Sequence, residues 1–574
     1  MKILLVYPRC KEQRITNQDD TVVPMGLFSI GAVLMDHGHD VVLINEYGLD
    51  PGVSIARILE REKPDLVGLS VFNANRSGAQ AWARRIREEL PACLIVFGGV
   101  AATFLWEYFL TYCQAVDGIV VGEGEYTFLE LVHALSEKTG PDFDAISGLA
   151  WRKQGKPVLN PARPFIANLD ELPCPAKYFT YDHVSFSRGC PGNCTFCGSP
   201  KFWQRKVRFH SAGYFVDELE MLYRKGVRFF YISDDTFTMK KTLVLEVCKE
   251  ILSRKLVIDW YAISRVDCVD EDIMYWMRKA GCIQISFGVE SGSEKIRTLL
   301  NKKITTDQII RAFDLTQSYG ILARAYFIYA CPGETWETID EHIRLIRRIK
   351  PLSAIFYILH LFPGTALYEQ WKEEHGFCDD IWKEDMEDVL YFESDPTMSR
   401  DLVLAFGKKL RTTFYEDLSE YARSLTLKDV PDLAPAFADF YSRLAMTFSH
   451  GDYAAIEAIT DKDITARMLY ERSLGYGPSI RAYLGLGMLA QKKRDMQAAF
   501  EILDKGLRLF PDDADLHQCM GITLMNCGRF KDALPHFLPF EDSKQSLSFA
   551  ATCYQALGEH DQAQNFQKKM TLLD

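Results

Sequence analysis

The 574-residue chain predicts a multidomain α/β protein that ends in an all-α region. Three observations carry that expectation. Strand and helix patterns alternate over 1–140, the alternation resumes over 181–375 after a proline-rich break, and strands vanish beyond it, where a helical period emerges. A chain of this length exceeds one ordinary core, so three or four domains are expected. Hydrophobic residues at 48% and charged residues at 25% are ordinary for a soluble globular protein. A net charge of −12 argues against a general nucleic-acid binder, although a local basic groove stays open. No run of about 18 apolar residues is present, so no membrane span is expected, and MKILLVYPRC reads as a buried strand rather than a cleavable leader. Fifteen scattered cysteines, an odd number, fit buried thiols in a reducing cytoplasm.

The first 140 residues divide in order into KILLVYP (strand), PMGLFSIGAVLMDHG (helix with a glycine stop), DVVLINEYG (strand), SIARILEREKP (helix) and DLVGLSVFN (strand). RSGAQAWARRIREEL is then a helix, LIVFGGVAAT a strand into a loop, and DGIVVGEGEYTFLELVHAL a strand into a helix. Apolar strands alternating with amphipathic helices read as a parallel, doubly wound, Rossmann-like sheet. Ligands of such sheets bind beyond the carboxyl ends of the strands. Small and polar residues stand there: Leu69, Ser70 and Asn73, then Gly98 and Gly99, then Gly122, Glu123 and Gly124. Their glycines permit close backbone approach to a ligand, or serve tight turns alone. The segment carries no GxGxxG fingerprint, which argues against a nicotinamide dinucleotide.

Residues 141–180 read as a short hairpin and a proline-rich connector. Over 181–375 the segments VSFSRGC, VRFFYISDDTF, IDWYAISRVD, CIQISFGVESGS, ILARAYFIYACPGE and SAIFYILHLFPGT are strands separated by helices. They predict a partial or full (β/α) barrel, with its active site at the strand C-termini. Residues 376–475 read as mainly helical. Over 476–574, Tyr483, Leu486, Gly487, Ala499 and Pro511 fall at tetratricopeptide offsets, and His517, Met520, Gly521, Gly528, Ala533 and Phe537 continue the pattern 34 residues on. A less regular unit follows with Tyr554, Gly558 and Ala563. Such repeats stack into a curved surface that either recruits a partner or caps the enzyme, and Tyr483, His517 and Gln518 are candidates for its concave face.

The octapeptide CPGNCTFC concentrates the chemistry. It holds Cys190, Cys194 and Cys197 and no fourth cysteine. A structural zinc site takes four ligands and a disulfide framework takes pairs, whereas three thiolates suit an iron–sulfur cubane with one iron left open. A zinc knuckle or three incidental cysteines are the alternatives. With the strand VSFSRGC before the triplet and Phe196 before its last cysteine, the chain resembles the radical S-adenosylmethionine (SAM) superfamily. The resemblance implies that a [4Fe–4S] cluster on Cys190, Cys194 and Cys197 chelates SAM and reductively cleaves it to a 5′-deoxyadenosyl radical. It also implies an electron donor such as a flavodoxin or ferredoxin. Later strand ends carry matching chemistry. Asp234 and Asp235 suit the methionyl ammonium, and Arg265 is a fork suited to its carboxylate. By the resemblance, Glu290, followed by Ser291, would bond the ribose hydroxyls, and the loop with Gly333 and Glu334 would pass near adenine.

PMGL, GLSVFN, FGGV and VGEGE, in that order ahead of such a barrel, resemble the cobalamin-binding subgroup over roughly residues 1–375. The D-x-H-x-x-G motif of many cobalamin proteins is missing, and DHGHD at 36–40 does not fit its spacing. No histidine ligand to cobalt is therefore expected, neither His37 nor His39, and the lower face of cobalt is expected near the Leu69–Asn73 loop. The implied activity is C-methylation: one SAM methylates cobalamin, a second yields the radical that activates an unactivated carbon, and that carbon takes the methyl group. A cyclase or rearrangement enzyme with the same cofactors is one rival, and an iron–sulfur scaffold acting through its repeats is another. Tyr326, Tyr329, Cys331, Tyr357 and His360 on late strands are candidates for the substrate. The repeats suggest a peptide or protein acceptor, of which the glutamine of methyl-coenzyme M reductase is a family example.

Overall fold

The structure is a computed structural model that describes residues 1–10, 23–50, 53–136, 141–383, 388–571 and 573. Contacts divide it into two compact units. The first comprises Met1–Ala312, Arg324–Leu345 and Ala354–Lys408, and the second Phe313–Ala323, Ile346–Ser353 and Lys409–Asp574.

The first unit holds two principal sheets. One runs through β1 (Lys2–Tyr7), β2 (Asp40–Asn45), β3 (Leu66–Ser70), β4 (Leu94–Gly98), β5 (Gly118–Val120), β6 (Leu149–Lys153) and β7 (Lys156–Leu159), in the spatial order β2-β1-β3-β4-β5-β6-β7. The pairings from β2 through β5 are all parallel. β1 and β3 are almost wholly buried because helices cover both faces, which is why LLVY and LVGL are continuous apolar runs rather than alternating ones. The strand order reverses between β1 and β3, and at such a switch point the loops diverge and open a crevice for a ligand. The hairpin read in the connector, β6 with β7, extends this sheet antiparallel to β5. The boundary drawn at 140 falls on 137–140, outside the described residues.

The second sheet contains β8 (His183–Val184), β11 (Phe229–Ile232), β12 (Asp259–Ser264), β13 (Cys282–Glu290), β14 (Leu322–Tyr329) and β15 (Ser353–Ile358), ordered β15-β14-β13-β12-β11-β8. β8–β11, β11–β12 and β12–β13 are parallel, the arrangement of an open, partial (β/α) barrel. The expected strand VSFSRGC is broken. β8 stops at Val184, and β9 (Ser187–Arg188) pairs antiparallel with β10 (Arg208–Phe209). The break has a local cause: Asp234 takes the Phe186 N–H at 2.8 Å and the Ser187 hydroxyl at 2.5 Å, so a carboxylate replaces the ladder partner there.

In the second unit no described residue from Lys409 onward is in a strand. Helix pairs Ile480–Lys492 with Met496–Leu509, Ala514–Asn526 with Phe530–Phe537, and Lys544–Ala556 with His560–Thr571 follow one another. Small residues stand where helices cross: a Cβ at Gly487 would lie 2.7 Å from Leu503, and one at Gly521 would lie 2.3 Å from Phe537. Ser479, Asp495, Asp513 and Ser543 each accept a backbone N–H at a helix start. Tyr483 is half-buried at the edge of the shared apolar core, and a Cβ at Gly506 would lie 3.0 Å from its Cβ. Among the described residues no helix is long and apolar enough to cross a membrane.

Candidate active site

The cysteine loop leaves β9 at the C-terminal side of the second sheet. Cys190, Cys194 and Cys197 are half-buried, and all fifteen cysteines are free of disulfides. Burial pushes the Cys194 thiol up and the Cys197 thiol up to about 12, so a metal cluster binding here must displace protons. Gly192 keeps space among the sulfurs: a Cβ there would stand 3.3 Å from Cys190 Sγ, 4.0 Å from Cys194 Sγ and 3.5 Å from Arg265 Nη1. Among the described residues no three donors converge on a single ion. The thiolates of a cubane bind separate irons and need not converge on one point. The donor set and the space at Gly192 fit a cluster.

Arg265 is held in place by a two-point pair with Asp267, at 2.9 Å for both contacts, and presents its remaining guanidinium nitrogen to the cysteine loop. Asp235 accepts the Ser199 hydroxyl at 2.7 Å, just past Cys197. Asp234 is placed otherwise than expected. It is 1% exposed, and its oxygens are taken by Ser185, Phe186 and Ser187, so it shapes the approach to the loop instead of facing a ligand.

A cavity of about 520 Å³ opens at the switch point of the first sheet. Leu69, Ser70, Gly98, Gly99, Gly122, Glu123 and Gly124 line it, together with Cys197 from the cysteine loop. A Cβ at Gly122, whose φ is +82°, would meet nothing within 4 Å, so the backbone there borders open space that a side chain would fill. This cradle fits a large planar cofactor. Glu123 lines the cavity as part of an ion-pair network: it takes Arg188 at 2.8 Å and Arg208 at 2.8 Å, while Glu125 takes Arg188 at 2.7 Å. This network, which ties β9 to the first sheet, was missed by sequence reasoning, because a lone arginine in SRGC carries no pairing signal. His37 and His39 lie elsewhere, beside His133. His210 does line the cavity, with its Nδ1 3.0 Å from Asp170 and its ring stacked on Tyr214.

A second cavity, of about 850 Å³, lies over the second sheet. Asn73, Phe196, Glu290, Tyr326, Tyr357 and His360 are in its wall. Tyr329 and Cys331 are not substrate contacts: they are 2% and 0% exposed. Side chains alternate along β14, so Arg324, Tyr326 and Ile328 face the cavity while Ala325, Phe327 and Tyr329 face the core. Ser291 turns into the body of the unit, where its hydroxyl meets His342 Nε2 at 2.6 Å and accepts the Ser293 N–H. Gly333, at φ +71°, turns the loop after β14 beside Leu299. Glu334 closes that loop by accepting the Cys331 N–H at 3.0 Å, and burial pushes its carboxyl up to about 7. Pro24, Met25, Phe72, Val100, Gly198 and Ser233 line both cavities, so they adjoin, with the cysteine loop at their junction.

The profile of the Radical SAM superfamily matches residues 184–346, and that of the B12 binding domain matches residues 15–132. An uncharacterized methyltransferase of Pyrococcus horikoshii, PH0819, is 34% identical over 64% of this chain and 83% of its own length. The chain belongs to the radical SAM superfamily. Within the superfamily it carries the B12-binding domain as well. The anaerobic magnesium-protoporphyrin IX monomethyl ester cyclase of Rubrivivax gelatinosus is 30% identical over 57% of this chain and 63% of its own. In fold, this radical SAM enzyme is similar to the methyltransferase TsrM from Kitasatospora setae, with a TM-score of 0.57 at 20% identity over 65% of this chain and 76% of that one. It is also similar to the cobalamin-dependent enzyme OxsB, with a TM-score of 0.58 at 17% identity over 99% and 84%. Membership of the superfamily implies SAM with an iron–sulfur cluster, and the B12-binding domain implies cobalamin; a structure of TsrM holds cobalamin and a [4Fe–4S] cluster.

Proposed function

We propose that this radical SAM enzyme is a C-methyltransferase whose acceptor carbon belongs to an apolar body seated in the larger cavity. The observation that carries the reading is the junction of the two cavities at the cysteine loop, with Cys197 in one wall and Phe196 in the other. A methyl carrier and a radical source must reach one carbon, and adjoining cavities make that a matter of orientation rather than diffusion. When bound, the cluster with SAM supplies a carbon-centred radical, and cobalamin supplies the methyl group.

The chain's own residues divide the work. Cys190, Cys194 and Cys197 hold the cluster. Arg265 takes the SAM carboxylate, Asp235 its ammonium and Glu290 its ribose. The backbone at Leu69–Ser70, Gly98–Gly99 and Gly122–Gly124 cradles cobalamin. Tyr326, Tyr357 and His360 pack the acceptor and exclude water from the radical. The domains of the proposal are the cobalamin-binding sheet, the barrel and the helical region with its repeats.

Acceptors of two kinds fit: a ring-bearing small molecule, or a polypeptide residue presented with help from the C-terminal helices, such as a glutamine of methyl-coenzyme M reductase. The cyclase relative favours a second reading, ring formation without methyl transfer. The test is an anaerobic turnover with SAM labelled on its methyl group. A product heavier by one labelled methylene unit supports methylation; an unlabelled product with a new ring establishes the second reading. Absence of 5′-deoxyadenosine removes both.

A further inference from the structure

Just beyond the helix Glu294–Leu299, the turn at residues 300–302 is clamped onto the cysteine loop. The Leu300 carbonyl accepts the Thr195 N–H at 3.0 Å, and the Asn301 side-chain amide donates to the Asn193 carbonyl at 2.6 Å. Asn301 itself holds φ at +49°. The next residue, Lys302, is buried, and its ammonium donates to Glu290 Oε1 at 2.9 Å, with the two side chains 8% and 9% exposed. Gly288 makes the pairing possible, because a Cβ there would stand 2.4 Å from Glu290 Oε1 and 2.9 Å from Lys302 Nζ. Glu290 pairs while holding φ at +64°, a conformation that surrounding structure must enforce.

Binding ribose hydroxyls asks only for a carboxylate. Burying an ammonium beside it costs desolvation, so the lysine calls for another role. Its surroundings supply one. Leu300 and Asn301 bond the backbone of Thr195 and Asn193, the two neighbours of Cys194, so the turn holds Lys302 next to the loop at that cysteine.

We propose that Lys302 is a positioning residue for the iron–sulfur cluster: its charge, fixed beside Cys194 by Glu290 and by the turn at residues 300–302, raises the cluster's reduction potential. The proposal rests on the reading that the three cysteines hold a cubane. On taking one electron from a ferredoxin- or flavodoxin-class donor, the thiolate-ligated centre gains a negative charge. A cation held near it in a poorly solvated site favours that reduced form.

The test is a potentiometric titration of the full-length, anaerobically reconstituted protein, followed by the paramagnetic signal of the reduced cluster. Lys302→Gln should keep its iron and shift the potential to more negative values, and Lys302→Arg should restore most of the shift. A Lys302→Gln protein with full iron and the wild-type potential overturns the proposal. If the single variant loses iron because Glu290 is left buried and unpaired, the double variant Lys302→Gln/Glu290→Gln carries the test. Read against Glu290→Gln alone, it should titrate at a more negative potential, because the two proteins differ only in the Lys302 charge. An unchanged potential there also overturns the proposal. Wild-type protein that binds no iron would instead sink the cluster reading itself.

Discussion

Asp234 and Gly192 both shape the loop that carries Cys190, Cys194 and Cys197, and the two act in different ways. Asp234 ends β8 by bonding the strand that follows, whereas Gly192 leaves the room among the sulfurs. Replacing the three cysteines together by Ala should lower bound iron from about four per chain to none and abolish 5′-deoxyadenosine formation, as iron analysis and chromatography would show. Full iron and activity in that variant would refute the cluster assignment. A second residue-level expectation concerns Glu218, which lines the smaller cavity and accepts the Tyr181 hydroxyl. Burial pushes its carboxyl up to about 7, so the fold favours the protonated form. The unfolded chain releases that proton at lower pH. The stabilisation is therefore complete below the unfolded pKa and is lost as pH rises to about 7. By linkage the loss is about 3 kcal/mol. Urea titrations of the cofactor-free protein at pH 5 and pH 8 should show it, and Glu218→Gln should flatten the dependence. An equally steep variant would assign the effect elsewhere.

At the level of elements, β14 shows how a strand sorts function from packing. Tyr326 and Tyr329 are three residues apart, an odd spacing, so one faces the larger cavity and the other the core. Tyr329→Ala should destabilise the protein by roughly 3–5 kcal/mol, as a lost buried aromatic does. Tyr326→Ala should leave stability nearly unchanged and raise KM for the acceptor. A thermal melt beside a steady-state titration separates the two, and equal melting losses would contradict the alternation. The loop after β5 offers a parallel case. A Val at Gly122 would meet a strained φ and would project into the smaller cavity. Gly122→Val should reduce cobalamin uptake by tenfold or more, read from the visible spectrum, with iron content unchanged. Normal uptake would move the cobalamin site elsewhere.

For the whole molecule, the cysteine loop and both cavities belong to the first unit, and the C-terminal helix pairs belong to the second. If residues 476–574 recruit a polypeptide acceptor, removing them should weaken methylation of the full-length acceptor and spare both SAM cleavage and methylation of a short peptide. If they serve as a structural cap, both signals should fall together. The packing sets the terms of that experiment: a Cβ at Gly485 would lie 2.1 Å from Tyr470, so truncation uncovers Tyr470, and a folded truncation needs a polar residue there. Measuring 5′-deoxyadenosine and methylated product side by side decides, and equal loss in a folded truncation ends the recruitment idea.

Much of the architecture was legible from residue order. Continuous apolar runs imply strands covered on both faces, a 3.6-residue period implies helices, and three closely spaced cysteines imply an open cluster, because each of these properties is local. The glycines at Gly98–Gly99 and Gly122–Gly124 could be assigned to strand ends for the same reason. Only the tertiary structure decided the rest. It turned Asp234 and Ser291 away from the ligand space, since a side chain's direction depends on which partners complete its hydrogen bonds. It sent Tyr329 and Cys331 into the core, since that choice depends on the register of β14 against its sheet. It also brought Arg188 to Glu123 and Lys302 to Glu290, pairs separated by 65 and 12 residues. Such pairs leave no periodic trace in a single sequence, because their attraction acts through space that the fold must first enclose.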